Sequence, residues 1–281
     1  MAGENGKLAF APTIETRGFK IPIVGLGTWA LRGRDCARLT EQAIRIGYRH
    51  IDTAQMYDNE REVGEGVRAS GVRHEVIVTT KVQPTMLAPH DLERSVKESL
   101  AKLRLDVIDL LLIHWPNPRV PLAETLGAMA KMKQEGYARQ IGVSNFTLAL
   151  LAEANRISTE PLVCNQVECH PFLNQDKVIA ACRGYKMAVV AYSPIARGGA
   201  KGNELLETIG KAHKKTAAQV CLRWLVQQGI IVIPRTSKVE RLEENFTLFD
   251  FELTDAEMRE IAGLARRGGR IVDWTWSPRW D

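Results

Sequence analysis

Four side chains able to move or hold a proton close, or closely follow, three consecutive apolar runs of this sequence. Asp52 ends YRHID, Tyr57 follows five residues later in RHIDTAQMYDNE, Lys81 ends EVIVTTK, and His114 ends DVIDLLLIH. A free phenol titrates near 10 and is a poor acid at neutral pH. An ammonium within about 4 to 6 Å favours the phenolate and lowers that value. A buried lysine sheds its proton unless a counter-charge holds it, and Asp52 can be that counter-charge. A histidine beside them can donate a hydrogen bond to an oxygen that gains negative charge. The set suits protonation of a carbonyl oxygen.

Taken singly, each residue has a plainer reading. Asp52 could cap a helix or pair with a cation, Lys81 could be a solvated rim charge, and His114 a satisfied core histidine. Their coincidence at consecutive run ends is what points to chemistry. The sequence has no GxSxG setting for a nucleophile with an adjacent base and no carboxylate cluster for metal or glycosidic chemistry. Another species must then attack the carbon, and a hydride from a reduced nicotinamide is the natural candidate.

Later run ends offer a place for such a cofactor. Ser144 and Asn145 close the fifth run, Gln166 lies on the sixth, and Tyr192 and Ser193 close the seventh: an amide-binding set followed by an aromatic face. After the eighth run, Arg235, Thr236 and Arg241 in IPRTSKVERLEEN surround the start of a helix, where backbone N–H groups and fixed positive charge favour a phosphate. The GLG at 25 to 27 continues as TWALRG without GxGxxG spacing, so a dinucleotide would bind by a scheme other than the Rossmann one.

The elements that must position these residues are legible as an alternation. PIVGLG, YRHID, EVIVTTK, DVIDLLLIH, ARQIGVSN, LVCNQVE, MAVVAYS and GIIVIP are β-rich runs, separated by amphipathic stretches such as HDLERSVKESLAKL. The ends of the first seven come roughly 23 to 33 residues apart, about one strand-helix unit each. Eight such units predict an α/β fold of the (β/α)8 TIM-barrel type, whose chemistry sits at the C-terminal strand ends. Residues 203 to 228 read as two helices broken near His213 to Lys215 with Thr216 as N-cap, one of them an addition to the plan. KLAF and ETRGFK flank a turn and predict an N-terminal hairpin under the barrel. LTDAEMREIAGLAR opens with a Thr254–Glu257 capping box and predicts an extra C-terminal helix, followed by a tail, GGRIVDWTWSPRWD, with little regular pattern. No linker divides the chain, which predicts one domain over residues 1–281.

Composition narrows the partners. The chain has 281 residues, 45% of them hydrophobic, with 38 basic and 33 acidic residues scattered for a net charge of +5. That balance fits a small anionic ligand and argues against nucleic acid. No stretch approaches the roughly 18 apolar residues of a membrane span, and MAGENGKLAF lacks a basic-then-apolar pattern, so no membrane association and a cytoplasmic location are expected. The five cysteines form no CxxC pair and read as small buried hydrophobes; Cys164, Cys169 and His170 fit no zinc spacing, so no metal is expected.

GYRHIDTAQMYDNEREVG, DLLLIHWP, IGVSNF, NQVECHP, AYSP and IPRTSKVERLEEN together resemble the aldo-keto reductase family, with similarity to its bacterial 2,5-diketo-D-gluconate reductases, from about Lys7 to Asp281. The resemblance implies Tyr57 as proton donor, Lys81 and Asp52 as its tuning pair and His114 as the group orienting the carbonyl. It implies NADP(H) as cofactor, with Ser144, Asn145 and Gln166 on the carboxamide, Tyr192 stacked on the nicotinamide, and Arg235, Thr236 and Arg241 on the 2′-phosphate. Glu244 and Asn245 would lie near the adenine, and Gly27, Thr28, Ser193, Pro194, Ile195, Ile233 and Pro234 would complete the cofactor site. Trp29, Trp115 and Trp274 would line the substrate pocket. The implied activity is reduction of aldehydes, dicarbonyls or keto-sugars by a monomer. The family usually has Lys where this chain has Arg235, replacing a point charge by a planar fork. The short loop WPNPRVPL and the tail WTWSPRW also depart from it, so no particular substrate carries over.

Two other readings use the same residues: a lyase in which Lys81 forms a Schiff base, and a non-catalytic barrel that binds NADPH as a sensor or partner.

Overall fold

The computed structural model describes residues 10–281. The chain starts with β1 (Thr13–Thr16) and β2 (Phe19–Pro22), an antiparallel hairpin. Strand and helix then alternate: β3 (Leu26–Gly27), α1 (Gly33–Ile46), β4 (His50–Asp52), α2 (Glu60–Ala69), β5 (Ile77–Val82), α3 (Pro89–Leu103), β6 (Ile108–Ile113), α4 (Leu122–Gln134), β7 (Ala138–Ser144), α5 (Leu148–Ile157), β8 (Leu162–Glu168), α6 (Asp176–Gly184) and β9 (Ala188–Tyr192). Two helices, α7 (Glu204–His213) and α8 (Ala217–Gln227), precede β10 (Ile231–Val232), and α9 (Val239–Phe246) and α10 (Asp255–Ala262) follow.

Strands β3 to β10 form one parallel sheet in sequence order. It closes on itself: Val24 bridges Val232 in parallel, with Gly25 N–H donating to the Val232 carbonyl at 2.8 Å and Val232 N–H to the Ile23 carbonyl at 2.9 Å. The fold is the expected (β/α)8 barrel. Closure brings the first strand hard against the last. A Cβ on Gly27 would lie 2.6 Å from the Ile233 carbonyl oxygen, so only glycine fits there. β6 and β8 are buried along their whole length, as strands covered on one face by helices and on the other by the barrel interior must be.

The hairpin sits where expected but is built from other residues. Its turn is Arg17–Gly18, both at positive φ (49° and 79°), the geometry that suits a two-residue hairpin loop. The strands are therefore TIET and FKIP, with the turn inside ETRGFK rather than before it, and KLAF except Phe10 lies outside the described residues. Thr16 Oγ donates to the carbonyls of Val163 and Lys186, at the N-terminal ends of β8 and β9, which fixes the hairpin to the barrel floor.

Both predicted caps are present. Thr216 and Thr254 each accept from the N3 backbone N–H, and their own backbone N–H donates to the N3 side-chain oxygen in return, starting α8 and α10. α8 packs on β10 and α9, whereas α7 packs on α8 and α10, so α7 is the addition. The cysteines are all free and buried. No helix among the described residues is long and apolar enough to cross a membrane.

Candidate active site

Adjacent strands bring Asp52, Lys81 and His114 to one rim. Asp52 ends β4 opposite Gly27 and Thr79, Lys81 is the penultimate residue of β5, and His114 follows β6 with its N–H bonded to the Val82 carbonyl at 3.0 Å. Lys81 is fully buried, and its ammonium spends all three hydrogens: on Asp52 Oδ1 at 2.5 Å, on the Thr53 carbonyl at 2.8 Å and on Tyr57 Oη at 3.3 Å. Asp52 Oδ2 accepts from Gln166 Nε2 at 2.7 Å. Asp52 and Tyr57 are therefore joined through one lysine.

The loop carrying Tyr57 is held by polar residues that sequence reasoning passed over. Asn59 donates to the carbonyls of Thr28 and Leu31 and accepts from Thr53 Oγ at 2.7 Å. Gln55 accepts the Gln83 N–H and donates to Ser95 and Ser99. The signal was present in TAQMYDNE as amide side chains close to a strand end, but an amide is usually solvated, and their partners lie on other units.

Burial sets the protonation of the group. It would strip Lys81 of its proton, but Asp52 and Tyr57 outweigh it and raise the ammonium's pKa, as expected from the pairing. For Tyr57 the balance differs from the expectation. Burial raises the phenol's pKa and Asp52 adds to it; the downward pull of Lys81 is present but smaller. The free protein thus holds Tyr57 as an acid that keeps its proton. His114 is pushed well below the ordinary imidazole value by burial and by Lys81, and is neutral. Its Nδ1 is buried without a partner, and neither ring nitrogen bonds to another group among the described residues. The ring stands edge-on to Tyr57 with centroids 5.5 Å apart.

These residues open on a cavity of about 710 Å³, within the range of small-molecule sites. Its wall includes Gly27, Thr28, Asp52, Tyr57, His114, Asn145, Gln166, Tyr192, Ser193, Pro194, Ile195, Ile233, Arg235 and Arg241, together with Trp29, Trp115 and Trp274. Several of them also brace one another. Asn145 donates to the His114 carbonyl and Ser144 Oγ and accepts from Tyr192 Oη at 2.8 Å, and one amide hydrogen of Gln166 belongs to Asp52. Arg235 and Arg241 lie exposed at one side of the opening, where Arg235 Nε donates to the Trp29 carbonyl.

Ser144, Pro234, Thr236, Glu244 and Asn245 stand behind that wall. Ser144 Oγ donates to the Gln166 carbonyl, Thr236 Oγ accepts the Lys238 N–H at the start of α9, and Glu244 is taken up by Thr216 Oγ at 2.8 Å. Asn245 is buried in α9, and the Pro234 carbonyl accepts the Gly27 N–H. The wall also contains Met56, Arg197, Gly198, Val272 and Trp276, none of them singled out from sequence. Arg197 lies over the Trp29 ring at 4.6 Å. No group of three or more His, Cys, Asp or Glu able to hold a metal occurs among the described residues.

Residues 23–266 match the model of the Aldo/keto reductase family. The chain belongs to that family. It is 39% identical over 265 residues to methylglyoxal reductase DkgB of Escherichia coli O157:H7, covering 93% of this chain and 99% of that protein. It is 42% identical over 250 residues to 9,11-endoperoxide prostaglandin H2 reductase of Trypanosoma cruzi, covering 87% and 88%. A solved structure named as a 2,5-diketo-D-gluconic acid reductase B superposes with a TM-score of 0.95 at 45% identity over 97% of this chain and 98% of that one. An aldo-keto reductase of Bombyx mori in complex with NADP gives 0.87 at 35% identity, over 94% and 95%. The protein is a reductase of carbonyl compounds by kinship.

Proposed function

We propose that this aldo-keto reductase reduces aldehyde or ketone carbonyls with NADPH, Tyr57 giving the proton. The observation that carries the reading is the bonding of Lys81: a buried ammonium held by Asp52 and touching the Tyr57 hydroxyl, behind a cavity wall that Asp52, Tyr57 and a neutral His114 line. The cavity residues fit a dinucleotide, with Asn145 and Gln166 near a carboxamide, Tyr192 as the stacking face and Arg235 and Arg241 toward a phosphate. When bound, NADPH supplies the hydride. Ser144, Thr236, Glu244 and Asn245 belong to this proposal through the elements they brace.

The substrate carbonyl oxygen would sit between Tyr57 Oη and His114. The neutral imidazole donates a hydrogen bond to it and fixes its direction, and Tyr57 protonates it as charge builds. Lys81 stays charged throughout and stabilises the phenolate left behind. The tryptophans shield the reacting carbon from water. The same reading takes the chain as one barrel domain, acting as a monomer in the cytoplasm on a small carbonyl substrate, with no metal, nucleic acid or membrane partner.

The bonding of Lys81 weighs against a Schiff base, which needs a neutral amine with a free lone pair. A pure NADPH sensor has no use for an ammonium against Tyr57. The test is NADPH oxidation with a panel of methylglyoxal, aromatic aldehydes and keto-sugars. Saturable consumption with at least one carbonyl is expected, and NADPH binding without consumption for any of them would overturn the reading in favour of the sensor.

A further inference from the structure

Glu168 ends β8 two residues beyond Gln166 and opposite Tyr192, yet it is not part of the cavity wall. It is a fully buried carboxylate, and the chemistry above does not use it. Its oxygens reach across the chain to the tail: Oε1 accepts the Ile271 N–H at 2.6 Å and Oε2 the Val272 N–H at 2.7 Å. His170 Nε2 lies 2.9 Å from Oε1 and braces the carboxylate, while Gln175 donates to the Glu168 backbone carbonyl at 2.7 Å. Two adjacent backbone N–H groups on one carboxylate are a charge-assisted clamp, stronger than neutral hydrogen bonds.

What the clamp holds is aromatic. Val272 lines the cavity, and two residues later the Trp274 N–H donates to Ser277 Oγ while Ser277 N–H returns to the Trp274 carbonyl, a closed turn. That turn stacks Trp274 on Trp276 at 6.2 Å with planes 6° apart, and Trp276 meets buried Trp115 edge-on at 5.1 Å. Trp274 and Trp276 are 52% and 44% exposed at the cavity opening, a large apolar area left to water. Upstream, Gly269 runs so close to the Phe172 carbonyl that a Cβ would overlap it. The tail has no regular element of its own; its backbone is fixed upstream at Phe172 and Glu168, and its end is held where Asp281 Oδ2 accepts the Leu148 N–H at 2.9 Å.

We propose that Glu168 is a positioning residue for substrate choice: by clamping Ile271 and Val272 it holds the Trp274–Trp276 stack over the cavity as a binding surface for carbonyl compounds carrying a planar aromatic group. The proposal rests on the carbonyl-reductase reading for its substrates, but the clamp itself is measurable without turnover. Glu168→Gln keeps the shape and removes one acceptor, turning an NH₂ toward a backbone N–H.

The experiment compares 2-naphthaldehyde with methylglyoxal, NADPH being saturating, in the wild type, Glu168→Gln, Trp274→Ala/Trp276→Ala and the triple variant. In Glu168→Gln, KM for 2-naphthaldehyde should rise while kcat holds, and the ratio of kcat/KM for the two substrates should fall by about tenfold, the scale of a lost aromatic contact. In the background without the two tryptophans, Glu168→Gln should leave that ratio alone. Parallel loss for both substrates, or independent multiplying effects, would overturn the proposal. Amide hydrogen exchange at Ile271 and Val272 is read on the same proteins. Faster exchange confined to the tail of Glu168→Gln is expected, and unchanged exchange there sinks the clamp. Should Glu168→Gln fold poorly, the double tryptophan variant, altered only at exposed side chains, must still lose 2-naphthaldehyde selectively. If the wild type reduces no carbonyl at all, the proposed function fails while exchange still judges the clamp.

Discussion

The rim at Asp52, Lys81 and Tyr57 and the tail from Gly269 to Asp281 face one cavity and are stabilised in opposite ways. At the rim, charge is buried: Lys81 and Asp52 are 0% and 1% exposed and satisfy each other with bonds between neighbouring strands. In the tail, apolar rings are exposed and the chain path is fixed by backbone N–H groups on a distant carboxylate. The rim can change neither side chain nor angle without leaving an unpaired charge. In the tail, Trp274 and Trp276 are half-exposed, so replacing them leaves no buried charge unpaired. Such a division lets the proton chemistry stay rigid while the surface that selects the substrate varies.

The sharpest way to break this contrast is Lys81→Met. It leaves the Asp52 carboxylate buried and unpaired, a change that costs about 3–5 kcal/mol, and urea unfolding should register it; a loss below about 1 kcal/mol, ordinary for a surface change, would mean the rim is not the rigid half. Arg241→Ala should come next. It removes a charge-assisted contact of about 1.5–3 kcal/mol, weakening NADPH binding roughly ten- to a hundredfold while NADH, lacking the extra phosphate, changes little. Equal weakening of both in fluorescence titrations would place the phosphate elsewhere.

The smallest effect separates the two regions by pH. Lys81 titrates above its ordinary 10.5 in the folded state, so its contribution to stability is complete below that value and is lost as pH rises through the folded pKa. Glu168 is the reverse. Burial would raise its pKa, but His170 and the N–H groups of Ile271 and Val272 together lower it below the ordinary 4.5. Its contribution is complete above 4.5 and fades as pH falls through the lower folded value. The melting temperature gap between the wild type and Glu168→Gln should therefore narrow in acid, and a gap that stays constant would contradict the clamp's ionic character.

The same contrast explains what was legible in the sequence. A strand's last residue is visible in an apolar run, so Asp52, Lys81 and His114 could be placed on one rim, and the fixed order of strands brought them together. The tail bonds span 103 and 104 positions and use backbone donors, which carry no side-chain signature. Glu168 in LVCNQVE looked like the end of a strand, and nothing local said what its carboxylate would meet. Val272 was missed for the same reason, and among the tail tryptophans the sequence could not tell that Trp276 lines the cavity beside Trp274. The hairpin turn was misplaced because KLAF and TIET alternate alike, and Arg17–Gly18 is a weaker turn signal than Asn–Gly. The direction of the Tyr57 shift was misjudged because its sign depends on burial depth, which pairing logic leaves out.

The central claim is that Tyr57 delivers the proton, and single-turnover oxidation of bound NADPH by a reactive aldehyde in Tyr57→Phe tests it most directly. The variant keeps the ring and loses only the hydroxyl. The account predicts that NADPH binds with unchanged affinity while the chemical step slows by roughly 10²–10⁴-fold, the usual worth of a positioned acid. Undiminished turnover in Tyr57→Phe would contradict it.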